Sequence, residues 1–195
     1  VTKVITNRLK LVLLEVISEN QSAFVPGRLI TDNVLIAYEV SHYLLNKKQG
    51  KEGIAAVKAD MSKAYDRVEW SFLEEMMLKL GFHSQWVDLI MECVSSMSYR
   101  VRFNDTETEE FLPTRGLRQG DPLSPYLFLL CSEGLSCLLA HEEEVGGIEG
   151  IQVCRNAPSI SHLLFADDSL LFFEANEESA TRVKGLLRVY CDSSG

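Results

Sequence analysis

Two like charges stand in the middle of one of the most apolar stretches of this chain. Residues 161–174 read SHLLFADDSLLFFE. Leu163, Leu164 and Phe165 lead into Asp167 and Asp168, and Leu170, Leu171, Phe172 and Phe173 lead out. A carboxylate taken out of water without a partner is strongly destabilising, and two neighbours raise each other's proton affinity. Three arrangements relieve that cost: an exposed turn, contact with cations, or a bound metal. An apolar run, a short acidic break and a second apolar run predict strand, tight turn, strand, with the acidic pair at the tip.

A third carboxylate has a similar setting. IAAVKADM, residues 54–61, predicts a strand with Ala55, Val57, Ala59 and Met61 on a packed face. Lys58 and Asp60 fall on the other face, and Asp60 comes near the strand's end. If this strand and the hairpin share a sheet, Asp60, Asp167 and Asp168 meet. Such a set of hard oxygens suits Mg²⁺, which keeps some waters and takes its remaining ligands from substrate phosphates. Two such ions about 3.5–4 Å apart serve phosphoryl transfer. The residues alone also allow the plain exposed turn.

The chain has 195 residues, enough for one sizeable core. With 46% hydrophobic and 24% charged residues it reads as an ordinary globular protein. No apolar run approaches the roughly 20 residues of a membrane helix. Five scattered cysteines form no CxxC pair, which suits reduced thiols in an intracellular protein and argues against a zinc site. The start, VTKVITNRLKLVLLEV, reads as an internal segment rather than a signal peptide. Net charge is −9, the wrong sign for a nucleic-acid partner, and it is uneven: +2 over residues 1–60 and −8 over 121–195. Local basic clusters exist at Lys47, Lys48, Lys51 and Lys58, and at Arg100, Arg102, Arg115 and Arg118.

Along the chain, periodicity predicts a helix over 3–18, a loop at QSAFVPGR, and a helix from Thr31 or Asp32 to about Asn46. NKKQGKEG is a polar connection, followed by the strand of residues 54–61. Two helices are split by Gly81, and a hairpin joins YRVRFN to EEFLPT. RGLRQGDPLSP is too rich in Gly and Pro for regular structure. Pro122 or Pro125 opens a long helix to about Glu144. A strand region after Gly146 and Gly147, the acidic hairpin, and a helix from Glu177 to about Cys191 complete an α+β order.

AVKADMSKAYDRV, GLRQGDPLSP and FADDSLLF occur in the order of polymerase motifs A, B and C. Together with NRLK…ISENQSAFVPGRLITDNVLIAYE they resemble the reverse transcriptase domain of non-LTR (LINE-type) retrotransposons, the plant-like ones in particular. The resemblance covers nearly the whole chain. It implies a right-hand polymerase palm, an antiparallel sheet packed on helices, with partial fingers over 1–53 and the palm over 54–195. Motifs A, B and C then occupy 54–67, 115–125 and 163–173.

The resemblance also implies roles for single residues. Asp60, Asp167 and Asp168 are the catalytic, metal-binding aspartates, and the Met61 carbonyl helps hold the nucleotide-bound ion. Tyr65 lies under the sugar of the incoming nucleotide and excludes a 2′-hydroxyl. Gln119 and Gly120 lie near the nascent base pair, Arg28 meets the triphosphate, and Phe165 packs near the primer end. The cofactors are two Mg²⁺ ions, with Mn²⁺ able to substitute. The partners are an RNA template, a DNA primer and deoxynucleoside triphosphates.

The family's upstream RPI-type stretch, the motif D lysine, the thumb and the endonuclease lie outside the chain. It reads as an internal fragment or truncated copy, weak or inactive alone, of a parent located in the nucleus or a cytoplasmic ribonucleoprotein. An RNA-dependent RNA polymerase is disfavoured by Tyr65, where those enzymes carry aspartate, and by Ala166, where they favour glycine. The reading from a different class is a non-catalytic remnant that binds RNA or a protein partner.

Overall fold

The apolar runs around the acidic pair do form a hairpin. In the computed structural model, which describes residues 1–47 and 53–195, β4 (His162–Phe165) and β5 (Asp168–Glu174) pair antiparallel with Phe165 opposite Asp168. Ala166 and Asp167 remain as the two-residue turn. Ala166 has φ 53°, and tight hairpins need a positive φ at the first central position to match the strands' twist.

β1 (Ile54–Asp60) pairs antiparallel with the other side of β5, giving the order β1-β5-β4. The central strand is hydrogen-bonded along both edges, and packing covers both of its faces, which is why it reads as an unbroken apolar run. Leu171 and Phe173 pack with Leu135, Leu139, Val183 and Tyr190. These come from the long helix α7 (Ser124–Glu144) and the final helix α8 (Glu177–Ser194). Phe172 packs on the opposite face with Val40 of α3 (Ile30–Asn46). Val57, expected on the packed face, stays 39% exposed because β1 is an edge strand of the sheet.

α7 is apolar on nearly every side, as a helix through the centre of a domain must be, and Pro125 stands in its first turn. The first half of α7 forms a second core with α1 (Thr2–Leu9), α2 (Leu13–Val16), α5 (Trp70–Lys79) and α6 (Ser84–Ser95). The short α4 (Ala64–Arg67) follows β1.

Several boundaries differ from the sequence expectation. The helix expected over 3–18 breaks after Leu9 into α1 and α2. α3 begins at Ile30 with Leu29 as its cap residue, and Asp32 instead accepts a hydrogen bond from the Leu29 N–H at 3.1 Å. The exposed hairpin shortens to β2 (Arg102–Phe103) and β3 (Thr106–Glu107) around Asn104 and Asp105, both at positive φ. It continues outward through paired hydrogen bonds between Tyr99 and Phe111. After Gly147 only an isolated bridge between Ile151 and Ile160 forms. Lys48 and Lys51, and most of the NKKQGKEG connection, lie outside the described residues.

Candidate active site

The two-residue turn moves the acidic pair one position from the expected tip. Asp167 is the second turn residue, and Asp168 opens β5 directly opposite Asp60. Residues directly opposite in an antiparallel pair project to the same face. One step on, the Met61 N–H donates to the Asp167 carbonyl at 3.2 Å, so the ladder continues past the strand ends. The sheet thus brings three carboxylates from two distant segments to one end.

Lys58 shares that face, and its Nζ lies 2.9 Å from Asp168 Oδ1. The hydrogen bond and charge of Asp168 hold the ammonium above the usual lysine range, against slight desolvation, and Asp60 and Asp167 add to the effect. All three carboxylates therefore bear on one cation. Asp168 and Lys58 border a groove of about 270 Å³, lined also by Phe165 on the sheet side and by Ile30, Asn33 and Val34 on α3.

Among the described residues no three His, Cys, Asp or Glu side chains come close enough to enclose an ion by themselves. The donor chemistry still fits Mg²⁺ or Mn²⁺. Hard carboxylate oxygens face an open groove, and Mg²⁺ is usually held by one or two carboxylates together with water and substrate phosphate.

Tyr65 follows from α4. Its ring stacks on Phe128 with centroids 5.2 Å apart and planes at 22°. Burial, then the charge of Asp167, pushes its hydroxyl pKa up, so it stays neutral beside the carboxylates. The loop of residues 115–123 is fastened to the same segment. Leu117 N–H donates to the Tyr65 carbonyl at 2.7 Å, Gly116 N–H to Val68 at 2.8 Å, and Trp70 Nε1 to the Gly116 carbonyl at 2.8 Å. Gly116 has φ 89°, and a Cβ there would lie 2.8 Å from the Asp66 carbonyl oxygen, so the close approach demands glycine. Gln119 and Gly120 stand exposed on this loop, with Gly120 at φ 87°.

Arg28 turns toward its own loop. Its guanidinium donates to the carbonyls of Ser18, Gln21 at 2.6 Å and Ile17 at 2.8 Å. These three of its five N–H donors brace the loop of residues 17–28. Three of the four clustered arginines are paired with acids. Arg100 meets Glu107 and Glu110, Arg102 meets Asp105, and Arg115 meets Glu69.

Sequence reasoning missed the pairing of Lys58 with Asp168, although its i, i+2 spacing from Asp60 on a strand was a readable signal. It also missed a buried polar chain beneath β4. His162 bonds Ser136 Oγ at 2.7 Å, Ser161 Oγ at 3.0 Å and Asn20 Nδ2 at 2.8 Å. Ser136 meets Ser18, whose N–H donates to Glu133 Oε2 at 3.0 Å. Burial lowers the His162 pKa to about 4 and raises that of Glu133.

Comparison with known proteins bears on family and fold. Residues 1–195 match the family described as reverse transcriptase (RNA-dependent DNA polymerase). An uncharacterized mitochondrial protein of Arabidopsis thaliana is 63% identical over 57 residues, 29% of this chain and 47% of that protein. A retrovirus-related Pol polyprotein from a type-1 retrotransposable element R2 of Popillia japonica is 30% identical over 136 residues, 69% of this chain and 18% of the polyprotein. In fold, the chain superposes on telomerase from Candida albicans, solved in complex with a fragment of telomeric RNA. The TM-score is 0.68 at 13% identity, covering all of this chain and 32% of that one. The chain spans less than half the length of each of these relatives. A family model that spans the whole chain settles the membership: the chain belongs to the reverse transcriptases, with relatives in retrotransposable elements.

Proposed function

We propose that this chain is the palm and partial fingers of a non-LTR retrotransposon's RNA-directed DNA polymerase, residues 54–195 forming the palm and 1–53 the fingers segment. The observation that carries the reading is the register that sets Asp60 opposite Asp168 with Asp167 in the adjoining turn. When bound, divalent ions supply Lewis-acid stabilisation of phosphate charge and lower the pKa of a coordinated hydroxyl.

The chain's own residues do the rest. Asp60, Asp167 and Asp168, with the Met61 carbonyl, would hold the ions at the sheet end, one or two carboxylates to an ion together with water and substrate phosphate. Tyr65, its ring held flat on Phe128, fills the space beside the sugar and rejects a 2′-hydroxyl. Gln119 and Gly120 line the approach of the nascent base pair, and Phe165 packs at the primer end. Arg28 acts by keeping the fingers loop in shape. The template is RNA, the primer DNA, and the substrates deoxynucleoside triphosphates. The parent polyprotein adds thumb and endonuclease regions and works in the nucleus or a cytoplasmic ribonucleoprotein. No described helix is long and apolar enough to cross a membrane.

The test is Mg²⁺-dependent extension of a DNA primer on an RNA template by the parent polyprotein carrying this segment. Asp167→Ala is expected to lower the rate by about 10³-fold, since a metal contributes several kcal/mol and each 1.4 is tenfold. Unchanged extension contradicts the assignment, and the non-catalytic remnant takes its place.

A further inference from the structure

The turn that carries Asp167 is held by a residue 145 positions away. Gln21 is fully buried, and its side-chain Oε1 accepts two backbone hydrogen bonds, from Ala23 N–H at 2.9 Å and from Ala166 N–H at 3.1 Å. Both donors are backbone N–H groups, so the amide oxygen must face them. The main chain around Gln21 is stitched to β4 as well. Leu164 N–H donates to the Asn20 carbonyl at 2.8 Å, and Ser22 N–H to the Leu164 carbonyl at 3.2 Å. Asn33 Nδ2 from α3 also donates to the Leu164 carbonyl, at 2.8 Å.

Two features show that this contact does more than fill space. Ala166 has φ 53°, which a residue with a Cβ adopts only at a cost. The Gln21 amide nitrogen, meanwhile, is buried without a partner among the described residues. An unmet buried donor is destabilising, and an apolar side chain would avoid it. The amide is therefore kept for what its oxygen does, which is to hold the N–H of a turn residue in a strained conformation next to Asp167. Arg28, bound to the Gln21 carbonyl, steadies the prop from behind.

We propose that Gln21 is a positioning residue of the polymerase site, fixing the Ala166–Asp167 turn and so aiming the Asp167 carboxylate. This rests on the polymerase reading above. The fingers segment and the hairpin are thereby coupled, and displacement of residues 20–23 loosens the metal-binding end of the sheet.

The test uses the 195-residue chain with Gln21→Met, which keeps length and removes the acceptor, alone and combined with Ala166→Gly. Amide exchange is followed in peptides spanning 163–168 and 70–79, Mn²⁺ affinity by electron paramagnetic resonance, and unfolding by heat. Gln21→Met is expected to speed exchange over 163–168 roughly tenfold, the worth of about one hydrogen bond, with 70–79 unchanged. Mn²⁺ affinity should fall by a similar factor. Ala166→Gly, which adopts the positive φ unaided, should restore most of that affinity without restoring the amide's protection. Unchanged exchange over 163–168, a uniform rise across all peptides, or no rescue by glycine overturns the proposal. If the unsubstituted chain binds no Mn²⁺, the polymerase reading fails, while the exchange arm still decides whether Gln21 holds the turn.

Discussion

The Lys58 ammonium lies 2.9 Å from the Asp168 carboxylate, on the face that Asp60 shares across the β1–β5 pair. A cation at that place offsets repulsion among three carboxylates at one sheet end. It also competes with any divalent ion for the same oxygens. Both partners are more than half exposed, so the competition is modest. Lys58→Met is expected to raise Mn²⁺ affinity by about two- to fivefold, measured by titration at constant ionic strength. A fall in affinity would show that the lysine supports the ion site rather than competing with it.

Tyr65 stacks on Phe128 and stays neutral near Asp167. On the proposed function, removing the ring opens the space under the sugar of the incoming nucleotide. Tyr65→Ala in the parent polymerase should relax selection against ribonucleotides by roughly 10–100-fold, comparable to other pocket-size discriminations. The measurement is the ratio of kcat/KM for a deoxynucleotide and its ribonucleotide. An unaltered ratio would assign Tyr65 to the core alone.

Arg28 has its donors on three carbonyls of its own loop. Arg28→Met should therefore lower stability by about 1–3 kcal/mol, the cost of leaving partly buried carbonyls unmet. The KM for deoxynucleotides should not move. A raised KM at unchanged stability would restore the triphosphate contact expected from the resemblance.

Burial pushes the His162 pKa down to about 4 in the folded chain, from 6.5 for the free side chain. As pH falls from about 6.5 to about 4, the unfolded chain takes up a proton that the folded one does not, so stability falls across that window. The loss from this residue is about 3 kcal/mol. Glu133 has a raised pKa and works in the opposite direction, its burial cost being relieved as acid protonates it. Comparing unfolding of the natural chain and His162→Gln isolates the histidine. The gap between them should shift in favour of the variant as pH falls from 6.5 to 4, and a pH-independent gap would contradict the assignment.

The parts of the site made of local sequence were legible before the structure. Strand alternation placed Lys58 and Asp60 on one face, and two apolar runs around two acids made a hairpin. The turn's position was misjudged by one residue, because Ala166 rather than Asp167 occupies its first central position. Contacts between distant segments left little trace. Nothing near Gln21 announces that its oxygen meets Ala166, and nothing near His162 points to Ser136 or Asn20. The guanidinium of Arg28 looked free because the carbonyls it meets belong to a loop whose path depends on α2 and β4. The helix break after Leu9 was hidden by apolar spacing that continues through both pieces.

The most direct measurement is Mn²⁺ binding by electron paramagnetic resonance to the chain and to Asp60→Asn, Asp167→Asn and Asp168→Asn. If the register of β1 on β5 builds a divalent-ion site, loss of a ligand from either strand weakens binding by about a hundredfold or more, beyond the roughly tenfold expected of the supporting Gln21 contact. Binding that survives all three substitutions unchanged would contradict the account.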